Sequence, residues 1–136
     1  MDNGVPHTTI TSFEEKVQSV KFHPTTPSNL LTGCCDGKIR LFDCRNPDTL
    51  STNFKSWNLN SEIEKTVWNT LEPNFFMAIT NDGKMHYMDM RLEAPLWSIQ
   101  AHTSEASGLI LSPTVSGMAI TTAADGLLKV WDYSAQ

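Results

Sequence analysis

A histidine, a hydroxyl and a carboxylate lie in the last third of the chain: His102, Thr121 and Asp125, with Trp131 just beyond. Those residue types could form a nucleophile triad. Thr121 would attack a carbonyl, His102 would take its proton and Asp125 would orient the ring. The four histidines (His7, His23, His86 and His102) have no close spacing to one another or to a cysteine, which argues against a metal site. Cys34 and Cys35 are adjacent and Cys44 stands apart. An odd count without C-x-x-C suits free thiols in a reducing compartment better than a disulfide scaffold. The Cys34–Cys35 pair reads as small buried or strand-edge residues rather than a redox couple. The glycines are scattered and make no phosphate-cradling loop. What the His102 group does therefore depends on the elements that hold it.

Those elements repeat. Val17–Asp43, Ile63–Asp89 and Ala106–Asp132 align without a gap. Each carries Asp-Gly in the same column (Asp36-Gly37, Asp82-Gly83, Asp125-Gly126), and each closes on a second Asp in LFD, YMD or VWD. Successive turn aspartates are 46 and then 43 positions apart. A period of about 40–45 residues ending in Trp-Asp or a variant marks the blade of a β-propeller. Propellers close with roughly 4–8 blades, and this chain has material for about three. The expected fold is all-β, a partial propeller of four-stranded antiparallel sheets whose ring is not closed, cut from the middle of a longer ring.

Short strands split by turn chemistry fill each unit, and no helical period competes with them. Residues 17–22, 30–34, 38–42 and 53–59 form the first blade, spanning 17–59. The second spans 63–101, with strands at 63–69, 75–80, 84–88 and 96–101. Three strands of a further blade occupy 106–133. Pro6 precedes Val17 by the same interval as Pro95 precedes Ala106, so residues 7–12 fall in the column of an outer strand and are assigned to a preceding blade. The net charge of −5 argues against a basic nucleic-acid face and mildly favours basic partners. No apolar run reaches the ~18 residues of a membrane span. The first residues have neither the basic nor the apolar region of a secretory signal, so the expected protein is intracellular.

In these features the chain resembles the WD-repeat family, whose blades hold a His–Ser/Thr–Asp–Trp hydrogen-bond network. The resemblance places His102 at that family's Gly-His position, Thr121 at the strand hydroxyl, Asp125 at the tight turn and Trp131 at the Trp, which gives these four a structural role and no catalytic one. In the other units Phe13 and Leu59 replace the His, while Phe42 and Met88 replace the Trp; Asp36 and Asp82 remain. Losing donor and acceptor together is nearly neutral, so these two blades are expected to rest on apolar packing.

Two surfaces follow from the same resemblance. Asp43-Cys44-Arg45 and Asp89-Met90-Arg91 are similar to the Asp-x-Arg ending with which some WD-repeat proteins dock as substrate receptors of cullin ubiquitin ligases. A surface ion pair worth at most about 1 kcal/mol is the plainer reading. WD-repeat propellers usually bind partners on the face where the loops leading into each blade meet the Asp turns. Lys16, Glu62 and Glu105 stand before the first strands, and Cys35, Asn81 and Ala124 before the turn aspartates. Two acids among the three lead-in positions suggest recognition of a basic segment such as a histone or ribosomal-protein tail.

The stretches FDCRNPD (42–48), IEKTVWN (63–69), DGKMHYMDMR (82–91) and AHTSEASGLILS (101–112) resemble the periodic tryptophan protein 1 family of eukaryotic WD-repeat proteins. The likeness runs from about Pro6 to Tyr133. It implies a non-enzymatic interaction scaffold of the nucleus and nucleolus, acting in ribosome biogenesis through ribosomal RNA processing or transcription. The alternatives are the ligase receptor and a histone- or chromatin-binding module. The likeness implies other proteins as partners, and no cofactor, metal, small-molecule substrate, membrane or direct nucleic-acid contact.

Overall fold

The computed structural model describes residues 4–6, 8–45 and 54–134. Strands β1 (Val17–Phe22), β2 (Asn29–Cys34), β3 (Lys38–Asp43) and β4 (Phe54–Asn58) form one antiparallel sheet in that order. A second repeats the order with β5 (Ile63–Trp68), β6 (Phe75–Thr80), β7 (Lys84–Asp89) and β8 (Trp97–Gln100). The third comprises β9 (Ala106–Leu111), β10 (Met118–Ala123) and β11 (Leu128–Asp132). Strand β1 packs against β5, and β5 against β9. The first strands thus face a common axis and the fourth lie outermost, the arrangement of three consecutive propeller blades. Residues 8–12 join none of the sheets, so the outer strand expected there is not formed; His7 lies outside the described residues. A strand needs a hydrogen-bonding neighbour, and among the described residues no third strand of a preceding blade lies beside this segment.

Strand periodicity explains the core. Side chains alternate between the two faces of a sheet, and β6 is buried on both faces. Phe76 and Ala78 join Leu31, Ile39, Trp57 and Trp68 between blades 1 and 2. Met77 and Ile79 join Met85, Tyr87, Ala106 and Ala119 between blades 2 and 3. FFMAIT (75–80) therefore reads as a continuous apolar run because both its faces are covered.

Each Asp-Gly turn has the same construction. Gly37, Gly83 and Gly126 donate from N–H to the carbonyls of Cys34, Thr80 and Ala123 at 3.1, 2.9 and 3.2 Å. The glycines have φ of +85°, +83° and +79°, while the aspartates before them keep negative φ. This is a three-residue loop, a type I turn followed by a left-handed glycine, rather than a two-residue Asn-Gly type of hairpin. At the same end of each sheet, β1, β5 and β9 each contain an extra residue near the start, at Gln18, Glu64 and Ser107. Such bulges re-aim a side chain, and here they turn these three toward one rim.

Candidate interaction rim and the networks behind it

One backbone hydrogen bond recurs three times at that rim. Cys35 N–H donates to the Lys16 carbonyl at 2.8 Å, Asn81 to Glu62 at 2.8 Å and Ala124 to Glu105 at 2.9 Å. Each bond fastens a lead-in loop to the Asp turn of its own blade. Lys16, Glu62, Asn81 and Glu105 are thereby held on one face by main chain, whatever their side chains. The bulge adds a second acid, Glu64, whose carboxylate accepts from Gln18 Nε2 at 3.3 Å and from Asn81 Nδ2 at 3.4 Å. Burial and the nearby Glu62 carboxylate raise the Cys35 thiol pKa, which disfavours a reactive thiolate. Glu64 was invisible in the alternating strand pattern, where a residue two positions into β5 belongs to a sheet face.

Behind the rim, the blade 3 network is complete. Trp131 Nε1–H donates to Thr121 Oγ1 at 2.8 Å, and Thr121 Oγ1 lies 2.8 Å from His102 Nε2. His102 Nδ1 lies 3.2 Å from Asp125 Oδ2, while Asp125 Oδ1 accepts the Leu127 N–H at 2.9 Å. The donor inventory is satisfied with one arrangement of protons: Thr121 O–H donates to Nε2, and Nδ1–H donates to the carboxylate. The Leu127 N–H, more than offsetting desolvation and joined by His102, holds the Asp125 carboxyl below the usual range. Thr121 is 0% exposed and its oxygen already accepts from Trp131. No substrate carbonyl can reach it, so the three triad-like side chains act as a tie between strands and turn.

The other two blades do not rest on apolar packing alone, contrary to expectation. In blade 1, Arg40 is 3% exposed and pairs with Asp36 at 2.7 Å. Burial opposes ionisation of Asp36, but the Arg40 and Lys38 donors outweigh it and its pKa is lowered. The guanidinium carbon lies 5.1 Å from the centre of the Phe13 ring, so the aromatic in the His column covers the buried cation. In blade 2, Thr80 Oγ1 donates to Asp82 Oδ1 at 2.5 Å and lies 3.1 Å from His86 Nε2, and His86 Nδ1 lies 2.7 Å from Ser98 Oγ. Here the proton sits on Nε2, opposite to His102, because the Thr80 hydroxyl gives its hydrogen to Asp82 and can only accept from the ring, which leaves Nδ1 to accept from Ser98. In blade 3 the same column holds Lys129, whose Nζ donates to the Ala101 carbonyl at 2.7 Å. Arg40, His86 and Lys129 all stand four residues after the turn Asp. Reading each histidine by itself missed this column; its signal was the parity that pairs Ala78 with His86 across the hairpin.

Replacing Thr121 with valine strands the Trp131 N–H and one His102 nitrogen without opening space. An unpaired buried donor costs about 1–3 kcal/mol, and the urea midpoint should fall accordingly. A double-mutant cycle with Trp131→Phe should recover part of that loss; strict additivity would show that the bond contributes nothing.

The Asp-x-Arg pairs lie on the opposite face, at the far ends of β3 and β7. Arg45 Nε and NH2 reach Asp43 at 3.0 and 2.5 Å, and Arg91 reaches Asp89 at 2.9 and 2.8 Å. The Arg45 hydrogen bonds lower the Asp43 pKa to about 2, and Arg91 lowers that of Asp89. Both guanidinium groups fold back on their own aspartates in the same fork and remain largely exposed. Among the described residues no group of three or more His, Cys, Asp or Glu is placed to hold a metal ion.

The family described as WD domain, G-beta repeat matches residues 4–43 and 93–132. The chain is 41% identical over 98% of its length to the periodic tryptophan protein 1 homolog of Drosophila melanogaster, of which it spans 29%. It is 30% identical over 91% of its length to the GATOR2 complex protein WDR24 of Danio rerio, spanning 16% of that protein. Its identity to the ribosome biogenesis protein WDR12 homolog of Caenorhabditis briggsae is 28% over 85% of the chain and 26% of that protein. Among solved structures, the crystal structure of the computationally designed Ika4 protein superposes with a TM-score of 0.74 at 20% identity, covering 96% of this chain and 74% of that one. The chain thus spans less than a third of the curated relatives it matches. Three blades in register, Asp turns of one construction and a family match over more than half the sequence lead to one statement: the chain belongs to the WD-repeat family.

Proposed function

We infer that the chain is a non-enzymatic protein-interaction scaffold in ribosome biogenesis, placed in the nucleus and nucleolus. On this reading its rim takes a basic segment of a partner protein. The single observation that carries the binding surface is the thrice-repeated main-chain tie. It holds Lys16, Glu62 and Glu105 beside Cys35, Asn81 and Ala124 and leaves their side chains free to vary. The acids Glu62, Glu64 and Glu105 outnumber Lys16 there, and the chain carries −5 overall, so the rim steers cations toward it. The name of one relative, the ribosome biogenesis protein WDR12 homolog, supports the process, and the likeness to the periodic tryptophan protein 1 homolog points the same way through the family resemblance.

Titration with Lys- and Arg-rich peptides from ribosomal-protein or histone tails tests the surface. Charge reversal at Glu62 and Glu105 should weaken binding about tenfold at low salt, mostly through the on-rate. Unchanged affinity in the double reversal would sink the rim as the binding face. Accumulation of a fluorescent fusion outside nucleoli would count against the compartment.

A further inference from the structure

The two seams between blades differ on the face that carries the Asp-x-Arg pairs. Between blades 1 and 2, His23 Nε2 lies 2.7 Å from the Pro73 carbonyl, and Leu41 and Met90 pack against the core. One repeat further on, those four columns hold Asn69, Ser116, Tyr87 and Tyr133. Asn69 is shorter than a histidine and turns elsewhere. Its Oδ1 accepts the N–H groups of Leu71 and Glu72 at 3.1 and 3.2 Å. That fixes the amide so that Nδ2 donates to the hydroxyl oxygens of Tyr87 and Tyr133, 3.2 and 3.4 Å away. A cavity of about 250 Å³ lies at this seam, lined by Glu72, Tyr87, Ser116, Gly117, Tyr133 and Ser134. All six belong to blades 2 and 3, whose packing against each other is complete, so the open sheet faces at either side of the arc play no part.

Both phenol oxygens accept from Asn69, and among the described residues neither O–H hydrogen has an acceptor. Tyr87 is 7% exposed and its ring is held between those of Phe75 and Trp97, at 5.5 and 5.4 Å. Tyr133 is fixed through its own N–H, which donates to the Gly117 carbonyl at 2.8 Å. Burial, with Tyr87 and Glu72 adding to it, pushes the Tyr133 pKa up to about 12, and burial raises that of Tyr87. Both phenols therefore keep the proton they have to donate. A buried donor without an acceptor is costly, so the cavity calls for an acceptor. The Glu72 carboxylate calls for a donor and repels an anion. Ammonium and guanidinium groups carry donors only and would leave both phenols unpaired. A carboxamide carries an acceptor and donors together. The volume is below the roughly 300–1,000 Å³ of small-molecule sites, which suits one side chain. We propose that this cavity binds a glutamine or asparagine side chain of a partner protein, whose carbonyl oxygen accepts from Tyr87 and Tyr133 and whose NH2 group donates to Glu72.

Titration of the 136-residue chain with N-acetylglutamine N-methylamide, followed by amide NMR, tests the site. Saturable shifts are expected at Gly117 and Ser134. N-acetylalanine N-methylamide, which offers main-chain amides alone, should produce none. The glutamate and lysine counterparts should bind about tenfold more weakly or worse, since each leaves a group of the cavity unpaired or repelled. Tyr133→Phe should weaken the glutamine compound about fivefold, and Glu72→Ala by a similar factor. Glu72 is an exposed loop residue, so its variant decides the question should Tyr133→Phe disturb the fold. Charge reversal at Glu62 and Glu105 should leave this binding unchanged, which separates the site from the rim on the other face. Absence of a saturable shift overturns the proposal, and a cavity that residues of the same chain already fill would behave in that way. So does equal binding of the alanine compound, tighter binding of the lysine compound, or full affinity in Glu72→Ala.

Discussion

Alanine at position 83 should remove about 2–5 kcal/mol of folding free energy, the same change at position 126 only about 1–2. All three turn glycines are left-handed, so all three alanine variants pay the penalty of a Cβ in that region. Their surroundings differ. A Cβ on Gly83 would lie 2.2 Å from the His102 carbonyl oxygen and 2.8 Å from that of Ser104, both main chain. Those atoms cannot step aside, because the Gly83 carbonyl itself accepts the N–H groups of Ala101 and His102 at 3.0 Å each. Blade 2 is thus clamped to the segment that enters blade 3. At Gly37 the nearest atom is Ser61 N at 3.2 Å, and at Gly126 nothing lies within 4 Å. The expected order of urea midpoints is Gly126→Ala above Gly37→Ala above Gly83→Ala. Equal losses at Gly83 and Gly126 would show that the close approach has no energetic weight.

Acidification should destabilise the protein between about pH 6.5 and pH 4, and His86 should be the cause. Burial lowers its pKa from the ordinary 6.5 to about 4. The folded chain keeps the ring neutral where the unfolded chain has protonated its own. The unfolded state then binds more protons, so stability is fully present above about 6.5 and drains away as the pH falls toward 4. At about 1.4 kcal/mol per pH unit the loss is on the order of 3 kcal/mol. Asp36, Asp43 and Asp89 have lowered values, and the stability they contribute is lost at lower pH as they take up protons. His86→Gln should flatten the decline between pH 6.5 and 4 while leaving the acid limb in place. A variant with the parent's slope in that window would show that His86 does not carry the dependence.

Much of the architecture was legible before any coordinate. The gapless columns located every strand from 17 to 132 within a residue or two, because Asp-Gly turns fix hairpin register and register fixes which side chains share a face. The His102, Thr121, Asp125 and Trp131 cluster was legible for the same reason, since the four residue types stand in four defined columns. Arg40 and His86 were not. A cation in a strand ordinarily faces water, and nothing local separates a buried Arg40 from a half-buried Lys38. What separates them is whether a carboxylate or hydroxyl sits across the turn on the same face, as Asp36 and Thr80 do. The ranking of the three turn glycines was equally hidden, because it depends on the main-chain path of another blade's lead-in segment.

Several side chains that join neighbouring blades end on a main-chain carbonyl. Trp57 Nε1 donates to the carbonyl of Leu92 at 2.8 Å and Lys55 Nζ to that of Met90 at 2.7 Å, while His23 Nε2 lies 2.7 Å from the carbonyl of Pro73. A carbonyl survives any substitution of the residue that bears it. Leu92 and Pro73 can therefore drift in sequence while the seams stay fastened, whereas Trp57, Lys55 and His23 cannot. Met90 is held only by its packing against the core between blades 1 and 2. Mutational freedom is distributed unevenly across each seam, with the donors constrained and the acceptor loops open to variation.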